Sequence, residues 1–164
     1  VVHRDIKPEN ILVGPFGEVL LLDWGLAKVR SEEGAPSDID DMSSESLTED
    51  PTMTGFQKLQ GTIAYMSPEQ IKKAPDIDGR TDIYSLGVVL YEALTGVKPS
   101  LGDTMDKIKA STLNDIPIIP SEISTTPISQ VLDDIVMQCL AKDANKRMQS
   151  VGELIRVLKE GLGV

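Results

Sequence analysis

The chain is expected to fold as a mainly α-helical body with one small β-hairpin near its start, and three patterns lead there. Two brief apolar runs, Ile11-Leu12-Val13 and Glu18 to Leu22, flank Gly14-Pro15-Phe16-Gly17, the composition of a tight turn between short strands. Thr81 to Thr95 carries apolar groups on nearly every face, the pattern of a helix buried all round. Ile128, Val131, Leu132, Ile135, Val136, Cys139 and Leu140 recur at three- and four-residue steps, and Val151, Leu154, Ile155, Leu158 and Leu162 do the same. That spacing lines apolar side chains along one helix face.

In chain order, the hairpin comes first. The central helix follows, with Asp82 placed to cap its start and Gly96 to stop it. Thr104 to Ser111 is a short polar helix, and Leu113 to Pro127, with three prolines, is an irregular connection. The two amphipathic helices complete the body. All six aromatic residues lie in the first 91 positions, so the last third is expected to have an aliphatic core.

The 164 residues, 40% of them apolar, suffice for one domain or one lobe of a larger one. The start at Val1-Val2-His3, without an initiator Met or a signal peptide, suggests a chain cut from a longer one. The formal charge of −10 disfavours nucleic acid and anionic lipid, whose phosphates would be repelled. Eight of the acids fall between Ser31 and Pro51, where there is no Lys or Arg; without them 18 acids face 16 bases. A segment so charged and so poor in large apolar groups cannot offset its ordering entropy, and 29–54 is expected to be an acidic, disordered insert. One cysteine and one histidine exclude an internal disulfide and multi-histidine or cysteine-based metal sites. Cys139, Met66 and Met148 are assigned to packing. No apolar run is long enough to span a bilayer, and the cytoplasm is the expected compartment, with any membrane anchor outside this segment.

The chemistry concentrates in His3-Arg4-Asp5-Ile6-Lys7-Pro8-Glu9-Asn10, which places an acid, a cation and an amide just before a strand. The second strand ends in Asp23-Trp24-Gly25. Asp5, Asn10 and Asp23 can therefore meet at the mouth of one hairpin, and such a set of oxygen ligands suits a hard cation such as Mg²⁺ held with phosphates.

The octapeptide resembles the catalytic loop of eukaryotic-type protein kinases, and Asp23-Trp24-Gly25 is similar to their metal-binding Asp-Phe-Gly, with Trp in place of Phe. Gly61-Thr62-Ile63-Ala64-Tyr65-Met66-Ser67-Pro68-Glu69 resembles the substrate-docking segment that ends in Ala-Pro-Glu. Asp82-Ile83-Tyr84-Ser85-Leu86-Gly87 resembles the start of the buried central helix, and Asp143 to Arg147 the late Arg that pairs with the docking-segment Glu. The wording Ser-Pro-Glu-Gln and Leu-Tyr-Glu-Ala-Leu-Thr-Gly is closest to the bacterial serine/threonine branch.

The resemblance implies a kinase C-terminal lobe without its β-rich N-terminal lobe, since no Gly-x-Gly-x-x-Gly loop occurs. It implies ATP and Mg²⁺ as cofactors and a protein Ser or Thr hydroxyl as acceptor. Asp5 would take the hydroxyl proton, Lys7 would stabilise the transferring phosphoryl group and contact the nucleotide, and Asn10 and Asp23 would hold metal. Arg4 would pair with a phosphorylated activation segment, with Thr54 the first candidate and Thr52 the second. His3 would pack beneath the metal-binding turn. Thr62 would bond to Asp5 and Lys7, and Glu69 and Arg147 would form a partly buried ion pair. Asp82 is either a plain helix cap or the internal anchor of the catalytic loop. Without the nucleotide-covering lobe, this stretch alone is expected to be inactive. A non-catalytic kinase-like module that binds or regulates partners is the second reading. A small-molecule kinase is the third, though it would not need the docking segment.

Overall fold

The computed structural model describes residues 1–28 and 60–163. The expected insert at 29–54, with Thr52 and Thr54, lies outside the described residues. A 3₁₀ turn, Pro8–Asn10, leads into β1 (Ile11–Val13), which pairs antiparallel with β2 (Val19–Leu21) in the register Ile11 to Leu21 and Val13 to Val19. The α-helices after the hairpin include α1 (Pro68–Ile71), α2 (Arg80–Thr95), α3 (Met105–Asn114), α4 (Pro120–Ile123), α5 (Gln130–Cys139) and α6 (Val151–Leu162). Among the described residues, the fold class is the mainly α body with a single hairpin that the sequence predicts.

The central helix α2 is the hub of the core. Tyr84, Val88 and Tyr91 pack with Tyr65, Val136 and Leu140, while Ile83 packs with Ile135, Cys139, Met148 and Leu154. The second cluster is the aliphatic core expected of the last third. Burial pushes the Cys139 thiol up to about 12 against the lowering charge of Arg147, so it remains a protonated packing group.

Three boundaries differ from expectation. Helix α2 starts at Arg80 after Gly79, which makes no side-chain cap, so Asp82 is not the cap. Its end is as expected: Gly96 adopts φ 75, a left-handed conformation that costs an L side chain but not glycine. Helix α3 runs on to Asn114 behind its N-cap Thr104, whose side chain accepts from the Lys107 N–H. The proline-rich connection contains α4, because Pro120 occupies a first-turn position where no N–H is needed.

Helices α2 and α5 meet closely at Gly87. A Cβ there would lie 2.6 Å from Cys139 Cβ and 3.3 Å from Leu140 Cδ2. Gly87→Ala is therefore expected to destabilise the protein by about 1–3 kcal/mol, despite alanine's better helix propensity. Denaturant unfolding measures this, and an unchanged or raised stability would contradict the close packing.

Candidate active site

The segment that opens with His3 and Arg4 is pinned to the central helix. Both oxygens of the buried Asp82 carboxylate are used: Oδ2 accepts the His3 N–H at 2.8 Å and Oδ1 the Arg4 N–H at 2.9 Å. Of the two roles left open by the sequence, the internal anchor is the one its contacts describe. Arg4 holds φ 70, a left-handed conformation uncommon for a residue with a long side chain. The Asp5 N–H donates to His3 Nδ1 at 3.3 Å, so Nε2 carries the ring proton and donates to the Leu22 carbonyl at 3.0 Å. The His3 ring lies edge-on to Trp24, with centroids 4.7 Å apart, directly beneath the Asp23-Trp24-Gly25 turn. The indole N–H donates to the Leu21 carbonyl at 3.0 Å, which supplies the hydrogen bond that Phe would not need.

Asp5 is held on one oxygen. Its Oδ2 accepts from Asn10 Nδ2 at 2.9 Å and from Lys7 Nζ at 2.8 Å. Oδ1 makes neither of these contacts. Lys7 Nζ also donates to Thr62 Oγ1 at 3.2 Å, which joins residues 61–69 to residues 3–10. Asn10 is 7% exposed and spends both amide hydrogens on Asp5, the second on its carbonyl at 2.8 Å. Its Oδ1 is thus the only side-chain atom left to bind a cation.

Asp23 follows Leu22, whose N–H donates to the Asn10 carbonyl at 2.8 Å. It has φ 59, and its Oδ1 accepts the Gly25 N–H at 3.3 Å. Asp5 and Asn10 touch; Asp23 stands next to them through the strand pairing and is exposed, with no bond to either side chain among the described residues. The amide oxygen of Asn10, whose N–H groups face Asp5, and the exposed Asp23 carboxylate are donors of the type that suits a hard cation.

Behind the site, Arg147 binds Glu69 through two parallel bonds of 2.6 and 2.7 Å. Its other N–H groups reach the carbonyls of Ala141, Arg80 and Lys142. Burial works to raise the Glu69 carboxyl, but the Arg147 hydrogen bonds and charge outweigh it and hold the group below the usual range.

One contact was not legible beforehand. Gln70 Nε2 donates to the Arg4 carbonyl at 2.7 Å, and its Oε1 accepts the Ser67 N–H at 3.0 Å. The sequence signal is only the Ser-x-x-Gln spacing of a capping box at the start of α1, which implies the second bond but not the first.

The protein kinase domain family model matches residues 1–156. The chain is 39% identical to serine/threonine-protein kinase PknD of Protochlamydia amoebophila over 99% of its length, and 41% identical to PknD of Chlamydia caviae over 94%. It is 33% identical to serine/threonine-protein kinase PknB of Mycobacterium leprae, again over 94%. It spans 16% of the length of each PknD and 22% of PknB. Among the described residues, no helix is long and apolar enough to cross a membrane. Motifs, fold and matches agree: the chain belongs to the protein kinase domain family, in its bacterial eukaryotic-type branch.

Proposed function

We propose that the protein containing this chain is a serine/threonine protein kinase, and that this stretch is its C-terminal lobe. The observation that carries the reading is the Asp5 carboxylate, oriented by Asn10 and Lys7 while Lys7 also touches Thr62. An acid that must receive a hydroxyl proton is here fixed by neighbours on one oxygen, and the docking segment closes on the same lysine.

In this reading a Ser or Thr hydroxyl approaches Asp5 Oδ1. Its oxygen bonds to the γ-phosphorus, the bond from that phosphorus to the β,γ-bridging oxygen breaks, and Asp5 takes the proton as ADP leaves. Lys7 faces the oxygens on which negative charge spreads. Asn10 Oδ1 and the Asp23 carboxylate would hold the metal, and Mg²⁺ bound there would supply positive charge against the phosphates. Arg4 serves as receiver of an activating phosphate on Thr54 or Thr52, a role supported by its buried Nε, which has no hydrogen-bond partner among the described residues.

The hairpin region is apolar and uncovered. Phe16 is 94% exposed, and Leu12, Val13, Val19, Leu20 and Trp24 are more than half exposed. Contiguous surface of this kind marks an interface. We assign it to the nucleotide-covering lobe, whose glycine-rich loop this stretch does not contain.

The test is transfer from labelled Mg-ATP to casein, using the full-length protein beside residues 1–164 alone. Full-length protein is expected to label Ser or Thr, and the isolated stretch is not. Labelling by the isolated stretch would overturn the need for a second lobe. An unlabelled acceptor with full-length protein would favour the non-catalytic module.

A further inference from the structure

We propose that Gln70 is a positioning residue that makes the orientation of Asp5 depend on the seating of the docking segment; this deepens the kinase reading and rests on it. The peptide between Arg4 and Asp5 is gripped at both ends. Its N–H donates to His3 Nδ1 at 3.3 Å, and its carbonyl accepts from Gln70 Nε2 at 2.7 Å. Asp82 takes the two preceding N–H groups. His3 belongs to the loop itself and Asp82 to the central helix. Gln70 is the grip supplied by α1, at the end of the docking segment.

The Gln70 amide has no freedom to turn. Its Oε1 accepts from Ser67 N–H at 3.0 Å while its Nε2 serves Arg4. A flip would set NH₂ against N–H and oxygen against a carbonyl oxygen, so the two bonds fix each other. Ser67 is itself held: its Oγ receives the Gln70 N–H and shares a hydrogen bond with Thr81 Oγ1 on the central helix, and both hydroxyl residues are fully buried. The docking segment therefore reaches Asp5 by two routes. Thr62 acts on the carboxylate through Lys7, and Gln70 acts on the backbone through the Arg4 carbonyl.

The backbone route matters because Arg4 is left-handed, at φ 70. Such a conformation persists only while its surroundings hold it. An aliphatic side chain at position 70 would leave the Arg4 carbonyl and the Ser67 N–H without these partners. The Arg4–Asp5 peptide would then be held only through its N–H to His3, a longer bond of 3.3 Å, and a tilt of the peptide would carry the carboxylate with it.

Gln70→Glu separates this role from simple support of α1. Glutamate still accepts the Ser67 N–H, so the capping box survives, but it sets an anion against the Arg4 carbonyl. In the full-length protein, with Mg-ATP and casein, kcat is expected to fall about tenfold to a hundredfold, the loss typical of a misplaced reacting group. KM for both substrates should stay within about twofold and the melting temperature should hold, because neither bulk binding nor packing has changed. Faster hydrogen exchange at the Asp5 amide should accompany the loss of kcat. Gln70→Met, which removes both bonds without a repulsive charge, should lower kcat similarly and stability as well. An unchanged kcat in either folded variant overturns the proposal, and failure of both to fold makes Gln70 purely structural and overturns it too. Asp5→Asn is measured in parallel. If that variant stays active, the kinase assignment of Asp5 has failed; if it is dead while the Gln70 variants keep full kcat, only the positioning role has.

Discussion

On the proposed kinase reading, Asp5→Asn in the full-length protein is expected to lower phosphoryl transfer by about a hundredfold to ten-thousandfold, the range over which a positioned acid–base group contributes. The substitution keeps the shape and removes the proton acceptor. It also turns an ion pair into a contact between a cation and a neutral amide, since Lys7 Nζ lies 2.8 Å from the carboxylate oxygen that would become an amide atom. Folding should be little affected. The carboxylate orders its neighbours at the mouth of the hairpin and is not part of the apolar clusters under α2. A rate measured under saturating Mg-ATP, with the melting temperature recorded beside it, separates lost chemistry from lost structure. A loss smaller than about tenfold would remove Asp5 from the reaction.

The second large effect is on stability. Glu69→Ala is expected to cost about 3–5 kcal/mol, because it strands a buried cation. The Arg147 side chain is 0% exposed and that of Glu69 only 17%. Three carbonyls would still satisfy N–H groups of the guanidinium, but none offsets its charge. The exposed pairs Lys107–Asp103 and Arg156–Glu160 differ: their side chains are more than 60% exposed. Breaking either should cost about 0.5 kcal/mol or less. The same pair makes stability depend on pH with a definite sign. The folded carboxyl titrates below 4.5, its ordinary value, so the contribution is complete above that pH and disappears as pH falls through the lower folded value. Denaturant titrations at neutral and acid pH, on wild type and Glu69→Ala, should converge as pH drops. A constant difference, or one below about 1 kcal/mol at neutral pH, would contradict the buried pair.

Much of the molecule was legible in the chain because it rests on local physics. The three-residue strands around Gly14-Pro15-Phe16-Gly17 and the two amphipathic helices follow from spacing and turn chemistry alone. Asp5, Asn10 and Asp23 stood out as candidates by type and order, and Lys7 through the motif's resemblance to protein kinases. Boundaries were less legible. Asp82 is well suited to an N-cap, and its carboxylate was claimed instead by two backbone N–H groups 78 and 79 residues away. Pro120 looked like a breaker and begins a helix, since its missing N–H costs nothing in a first turn.

Composition and periodicity by themselves determined a mainly helical body, its hairpin and its central helix, while the chemistry expected of its polar residues came from the resemblance of their motifs to protein kinases. Tertiary structure alone decided which oxygen of Asp5 is held, that the Trp24 ring rests on His3, and that Gln70 reaches the Arg4 carbonyl across 66 positions. The physical reason is range. Helix and turn preferences act over a few neighbouring residues, whereas a side-chain hydrogen bond between distant segments exists only after the core has packed and brought donor and acceptor within about 3 Å.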